Sequence, residues 1–109
     1  MKSRVYSKVS IQASVVLGNL IKLARKQRQW TEQELADRAG ISRTTLQKIE
    51  KGDLACEIGL VFEVAVLVGV KLFEDENTNL SSVQARIENT LTLLPKTTRK
   101  KLENLDDEF

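Results

Sequence analysis

Histidine is absent from the chain, and cysteine occurs once, at position 56. Without histidine the commonest general base and nearly all zinc sites are gone. A lone cysteine excludes an intramolecular disulfide and fits a reducing cytosol, so a cytoplasmic location is expected. Cys56 follows Ala55 and reads as a small packed residue rather than a nucleophile. Proline occurs once and aromatics make up 5% of the 109 residues, a composition that leans towards helix. Long apolar runs are also missing. The longest stretch, Ile58 to Val70, is interrupted by Glu63 and is too short to span a bilayer. No long apolar run at the N-terminus precedes a small-residue cleavage site, so neither a signal peptide nor membrane attachment is expected. A glycine-rich phosphate loop and a cluster of metal ligands are lacking too, so an enzyme, a metal or a cofactor is not expected. The carboxylates Glu103, Asp106, Asp107 and Glu108 fit a solvated acidic tail.

Acids are absent from residues 1–31, which carry seven bases: Lys2, Arg4, Lys8, Lys22, Arg25, Lys26 and Arg28. Residues 53–82 carry six acids (Asp53, Glu57, Glu63, Glu74, Asp75 and Glu76) against Lys71 alone. The net charge of +2 excludes a uniformly basic nucleic-acid coat. The asymmetry predicts a positive and a negative region, and two solvated faces without a partner account for it as well. Hydrophobic and charged contents of 41% and 29% are those of an ordinary globular protein.

The pattern of apolar residues predicts five helices. Ser10 reads as the cap of a first helix over 11–28, with Val15, Leu17, Leu20, Ile21 and Ala24 near helical spacing. Gly18 within it costs about 1 kcal/mol against alanine, which points to close approach of another helix. Thr31 and Glu34 form a capping box for a short second helix that buries Leu35, Ala36 and Ala39. Gly40 is placed to end it in the left-handed conformation. Ile41 turns inward, and Ser42 caps a third helix over 43–51 that buries Leu46 and Ile49 before Gly52. The valines of Ile58 to Val70 suit a strand by propensity, but its length and the spacing of Leu60, Val64, Leu67 and Val68 favour a helix. Lys71–Phe73 is expected to be a short extended segment, and Glu74 to Asn79 an acidic linker. Leu80, Val83, Ile87, Leu91 and Leu94 mark a fifth, amphipathic helix stopped by Pro95. That stripe needs an apolar partner: its own domain, a second subunit or another protein. The expected organisation is a basic arm over 1–10, one domain over 11–94 and a charged tail over 95–109.

Two short helices around a glycine turn describe a helix-turn-helix, whose second helix fits the DNA major groove. Ser42, Arg43, Thr44 and Thr45 then stand at the exposed start of that helix, with Gln47 and Lys48 one turn later. Arg43 is suited to guanine O6 and N7, Gln47 to adenine, and the Thr44 or Thr45 methyl to thymine. Lys48, Lys51 and the basic N-terminus are suited to phosphate. A capped, solvated helix start accounts for the same residues, and a merely soluble terminus for Lys2, Arg4 and Lys8.

The wider pattern resembles the Cro/C1-type helix-turn-helix regulators, the XRE family. It is carried by Leu17-Gly18, Ile21, Ala24-Arg25, Trp30-Thr31, Glu34-Leu35-Ala36, Ala39-Gly40-Ile41-Ser42, Thr45-Leu46, Ile49-Glu50-Lys51-Gly52 and Leu67-Val68-Gly69-Val70. The resemblance covers about half the chain. It implies an all-α, five-helix, lambda-repressor-like domain, here with an additional C-terminal tail, that binds double-stranded operator DNA as a homodimer. Family members usually place glutamine after the cap of the second helix, where it contacts a phosphate. This chain has Glu32 there, where it suits the positive end of the helix, and Gln33 next. Either Gln33 takes over the phosphate contact or that contact is missing. Leu93-Leu94-Pro95-Lys96, Arg99 and Leu105-Asp106-Asp107-Glu108-Phe109 resemble the ends of HipB-like antitoxins, and Ile58 to Glu63 is similar to that group. This further resemblance implies an autorepressor that binds a HipA-type kinase toxin. The alternatives are a phage- or plasmid-type repressor with no toxin, or mainly a toxin-binding module.

Overall fold

Of the 109 residues, the computed structural model describes 4–97. They form five helices and, among the described residues, no strand: α1 (Lys8–Gln27), α2 (Glu32–Ala39), α3 (Arg43–Glu50), α4 (Ile58–Leu67) and α5 (Leu80–Thr92). The expected all-α, five-helix architecture is the one observed. The chain divides into two compact units, Met1–Leu72 and Phe73–Phe109. The single domain expected over 11–94 spans this division, with α5 in the second unit. Lys2 and the tail from residue 98, including Arg99 and Leu105 to Phe109, lie outside the described residues.

α1 starts at Lys8 rather than at residue 11, so the arm expected over 1–10 is shorter, and Lys8 is helical. Ser7 is the cap: its Oγ accepts the Ser10 amide at 3.2 Å. Both serines are able to satisfy an orphan N–H, and nothing in residues 8–10 resists helix, so the earlier cap prevails. Along α1, Ile21 is fully buried while Leu17 and Ala24 are half-buried. Val15 and Leu20 of the expected stripe are exposed.

The turn from α2 to α3 follows its local signals. Thr31 Oγ1 accepts the Glu34 amide at 3.0 Å, and Glu34 Oε1 accepts the Thr31 amide at 2.9 Å. Gly40 ends α2 at φ 69°, a conformation that costs a side-chain-bearing residue energy. Ser42 Oγ then accepts the Thr45 amide at 3.0 Å and starts α3. Leu35, Ala36, Leu46, Ile49, Val64, Ala65 and Val68 join Ile21 in one core. Thus α2 packs on α3 and α4, and α1 packs on α3. α4 is helical despite its valines because the 60/64/68 spacing lays one face on that core.

A buried ion pair locks α1 to the end of α3. Arg25 Nε and one terminal nitrogen donate to the two carboxylate oxygens of Glu50 at 2.7 and 3.1 Å. Its other terminal nitrogen donates to the Trp30 carbonyl at 2.9 Å. Arg25 is thus a core residue, whereas by sequence its charge suggested the solvated side of α1. Glu50 raises the pKa of the guanidinium through that hydrogen bond, against the opposing effect of burial. Arg28 donates from Nε to the Val68 carbonyl at 3.0 Å, tying the end of α1 to that of α4. Trp30 takes cation–π contacts from Arg38 at 4.2 Å and Arg28 at 5.3 Å.

The segment after α4 is not extended as expected. Leu72 and Phe73 form a bend, with Phe73 at φ 60°. Asp75 Oδ1 then accepts the amides of Asn77 and Thr78 at 2.8 and 2.9 Å. Asn79 caps α5, whose apolar Leu80, Val83, Ile87 and Leu91 share one hollow with Phe73.

Two substitutions test this joint. A Cβ on Gly18 would lie 2.6 Å from the carbonyl oxygens of Ile49 and Glu50. Those are backbone atoms, so the clash outweighs the gain in helix propensity, and Gly18→Ala is expected to destabilise by about 1–3 kcal/mol. Glu50→Ala leaves a buried, unpaired guanidinium and is expected to cost about 3–5 kcal/mol. Urea unfolding followed by circular dichroism measures both.

Candidate nucleic-acid interface

α3 has two sides. Leu46 and Ile49 are in the core, and Arg43, Thr44 and Lys48 are exposed. Lys51, which caps the helix, is exposed as well. Thr45 and Gln47 are half-buried at the boundary. The cap at Ser42 serves the backbone, and its hydroxyl also donates to Thr45 Oγ1 at 2.9 Å. The start of α3 therefore presents Arg43 and Thr44 to the outside from a helix end whose amides are partly satisfied.

Glu32, at the first position of α2, faces this helix. Its Oε1 accepts both Arg43 Nε at 3.0 Å and Gln47 Nε2 at 3.1 Å. Arg43 and Gln47 are one helical turn apart, so a single oxygen reaches both. The two hydrogen bonds, Gln47's first and then Arg43's, hold the Glu32 carboxyl below the ordinary value of 4.5, helped by the charges of Arg43 and Arg25. Side-chain exposure is 60% for Arg43 and 27% for Glu32, so the pair lies at the surface.

Gln33 points elsewhere. Its Nε2 donates along α2 to Asp37 Oδ1 at 2.8 Å. The structure thus brings together Ser42, Arg43, Thr45 and Gln47, with Thr44 and Lys48 beside them, and leaves Gln33 on a hydrogen bond within its own helix. Sequence reasoning missed Lys22 as a member of this surface, and Glu32 as the partner of Arg43 and Gln47. Lys22 of α1 joins Glu32, Gln47, Glu50 and Lys51 around a polar cleft of about 150 Å³. Lys22 carries no signal beyond its charge in an acid-free segment. Glu32 had one: an acid at a position where the resembling regulators usually place an amide. Cys56 lines a separate cleft with Thr45 and Lys48, and burial, then Asp53, pushes its thiol pKa up. It is a neutral packed thiol, as expected.

Among the described residues, no group of histidine, cysteine and acidic side chains could hold a metal ion. Nor is any described helix long and apolar enough to cross a membrane.

The Glu32 bonds predict a pH dependence. A carboxyl whose folded pKa lies below its unfolded value contributes stability above the unfolded pKa, and loses it as pH falls through the folded one. The Glu32 contribution is therefore complete above about 4.5 and disappears below it. Carboxyl-carbon NMR should place the Glu32 midpoint under 4.5, moving up towards it in Arg43→Ala and in Gln47→Ala.

Comparison with known proteins adds a family to this geometry. A family model described as helix-turn-helix matches residues 21–74, the span from the last third of α1 to the segment after α4. An uncharacterized HTH-type transcriptional regulator of Methanocaldococcus jannaschii is 37% identical over 54 residues, covering 50% of this chain and 82% of that protein. No solved structure matches the chain. The matched span holds both helices of the motif, the glycine turn and the core beneath them, with the lambda-repressor-like fold that the resemblance implied. The chain belongs to the helix-turn-helix family of DNA-binding transcriptional regulators.

Proposed function

We propose that this protein is an autorepressor that binds a palindromic operator as a homodimer, with α3 in the major groove. The observation that carries the proposal is the two-sidedness of α3: Leu46 and Ile49 anchor it while Arg43 and Thr44 stand outside. Arg43 has both terminal nitrogens unengaged among the described residues, because Glu32 takes Nε. That leaves a two-donor edge for guanine O6 and N7. Gln47 keeps its amide oxygen and one N–H for adenine, and the Thr44 or Thr45 methyl suits thymine. Lys48, Lys51 and Gln33 serve the phosphates, with Ser42 once its hydroxyl turns away from Thr45 Oγ1. Gln33 must first leave Asp37. Dimer half-sites are expected one turn apart, about 34–36 Å.

Fluorescence anisotropy tests this reading, with DNA from directly upstream of the protein's own gene beside a scrambled duplex. The parent is expected to prefer the upstream DNA. Arg43→Ala should reduce that preference by about 1–3 kcal/mol, roughly 5- to 150-fold. Lys48→Ala and Lys51→Ala should weaken binding to both duplexes, each flattening the salt dependence by about one unit of slope. Undiminished preference in Arg43→Ala would reject α3 as the reading element.

A second role is favoured by the tail. The resemblance of Leu93 to Lys96, Arg99 and Leu105 to Phe109 to HipB-like antitoxins supports a HipA-type kinase as partner. The exposed Leu91, Leu93 and Leu94 at the end of α5 offer apolar area for such a contact. Removing residues 96–109 should leave operator affinity intact and weaken a complex with a kinase encoded beside the gene. An undiminished complex would reject the tail as the contact. No complex with the full chain would favour a phage- or plasmid-type repressor.

A further inference from the structure

We infer that Glu32 is a positioning residue that sets base preference, by holding the Arg43 guanidinium and the Gln47 amide as one hydrogen-bonded unit. The inference rests on the proposed reading of DNA by α3. One carboxylate oxygen takes Arg43 Nε at 3.0 Å and Gln47 Nε2 at 3.1 Å, from a different helix and across the turn. An unrestrained arginine has many rotamers and can offer either its Nε side or its end to an acceptor pair. With Nε occupied, Arg43 presents its end. The guanidinium plane is set before DNA arrives, which lowers the ordering cost of the correct contact.

The charge of Glu32 adds a second effect. If Arg43 swings away to a backbone phosphate, Glu32 loses its cation and is left near the phosphates. That arrangement is repulsive, so the carboxylate disfavours the sequence-independent mode of binding. The same group therefore rewards Arg43 for staying over the bases and penalises it for leaving them. A merely structural residue would not couple these two effects. Its loss would weaken binding to every duplex together.

The test uses the full chain and a pool of randomised double-stranded DNA. Selection with the parent defines the enriched sequence. Competition binding then compares that duplex with single-base-pair variants and with a scrambled duplex, for the parent, Glu32→Ala, Glu32→Gln and Arg43→Ala. Arg43→Ala identifies the base pair that Arg43 reads. At that pair the preference of Glu32→Ala is expected to fall about tenfold, the size of one good bidentate contact. Its affinity for the scrambled duplex should rise at the same time. Glu32→Gln keeps an oxygen that accepts both bonds but lacks the charge. It should retain part of the preference while sharing the gain on scrambled DNA, which separates position from charge. Thermal melting of both variants close to the parent's would establish that the fold is intact.

An unchanged preference in Glu32→Ala would overturn the inference while leaving α3 as the reader. A parallel loss on all duplexes would also overturn it, reducing Glu32 to a structural role. If the parent enriches nothing, or Arg43→Ala keeps the parent's preference, reading by α3 fails and this inference fails with it.

Discussion

The ion pair between Arg25 and Glu50 is the constraint on which the rest of the first unit depends. Glu50 is the last residue of α3, so the pair fixes the inner end of the exposed helix. Through the Trp30 carbonyl the same guanidinium also holds the turn that leads into α2. Two charges buried together are not in themselves a strong source of stability. Their value here is geometric, because Arg25 satisfies both oxygens of Glu50 and one backbone carbonyl at once. Gly18 permits the approach, and Gly52, where a Cβ would lie 2.7 Å from the Val15 α-carbon, extends the same contact beyond α3.

From that joint outward, buried packing gives way to an exposed polar surface. Leu46 and Ile49 spend the inner side of α3 on the core, leaving Arg43, Thr44 and Lys48 for solvent. The cation at the start of α3 is not left loose, since Glu32 takes it up across the turn. The exposed pair contributes little to folding, as surface ion pairs usually do. Its consequence lies in the direction the side chains point. Packing therefore sets where α3 stands, and a surface hydrogen-bond network sets what α3 presents.

Much of this was legible in the sequence because its causes are local. Thr31 with Glu34, Gly40 at a left-handed position, and Ser42 before Arg43 each act over three or four residues, and all three lie where expected. The core of α2, α3 and α4 followed from helical spacing. What escaped depends on distance. Arg25 meets a residue 25 positions away, and its charge alone suggested solvent. Glu32 meets Arg43 and Gln47 at separations of 11 and 15, across a turn whose geometry the spacing does not encode. Ser10, expected to cap α1, lies inside it, because Ser7 caps the helix one turn earlier. The division after Leu72 was hidden by the continuous amphipathic stripe of α5, which looks the same in one domain or two.

The central claim is that the outer side of α3 meets DNA. Amide chemical-shift mapping tests it most directly, with the full chain titrated by the duplex from upstream of its own gene. The account predicts that the largest changes fall on residues 42–51, with Glu32 and Lys22 following. Changes confined to α5, with residues 42–51 unmoved, would contradict it.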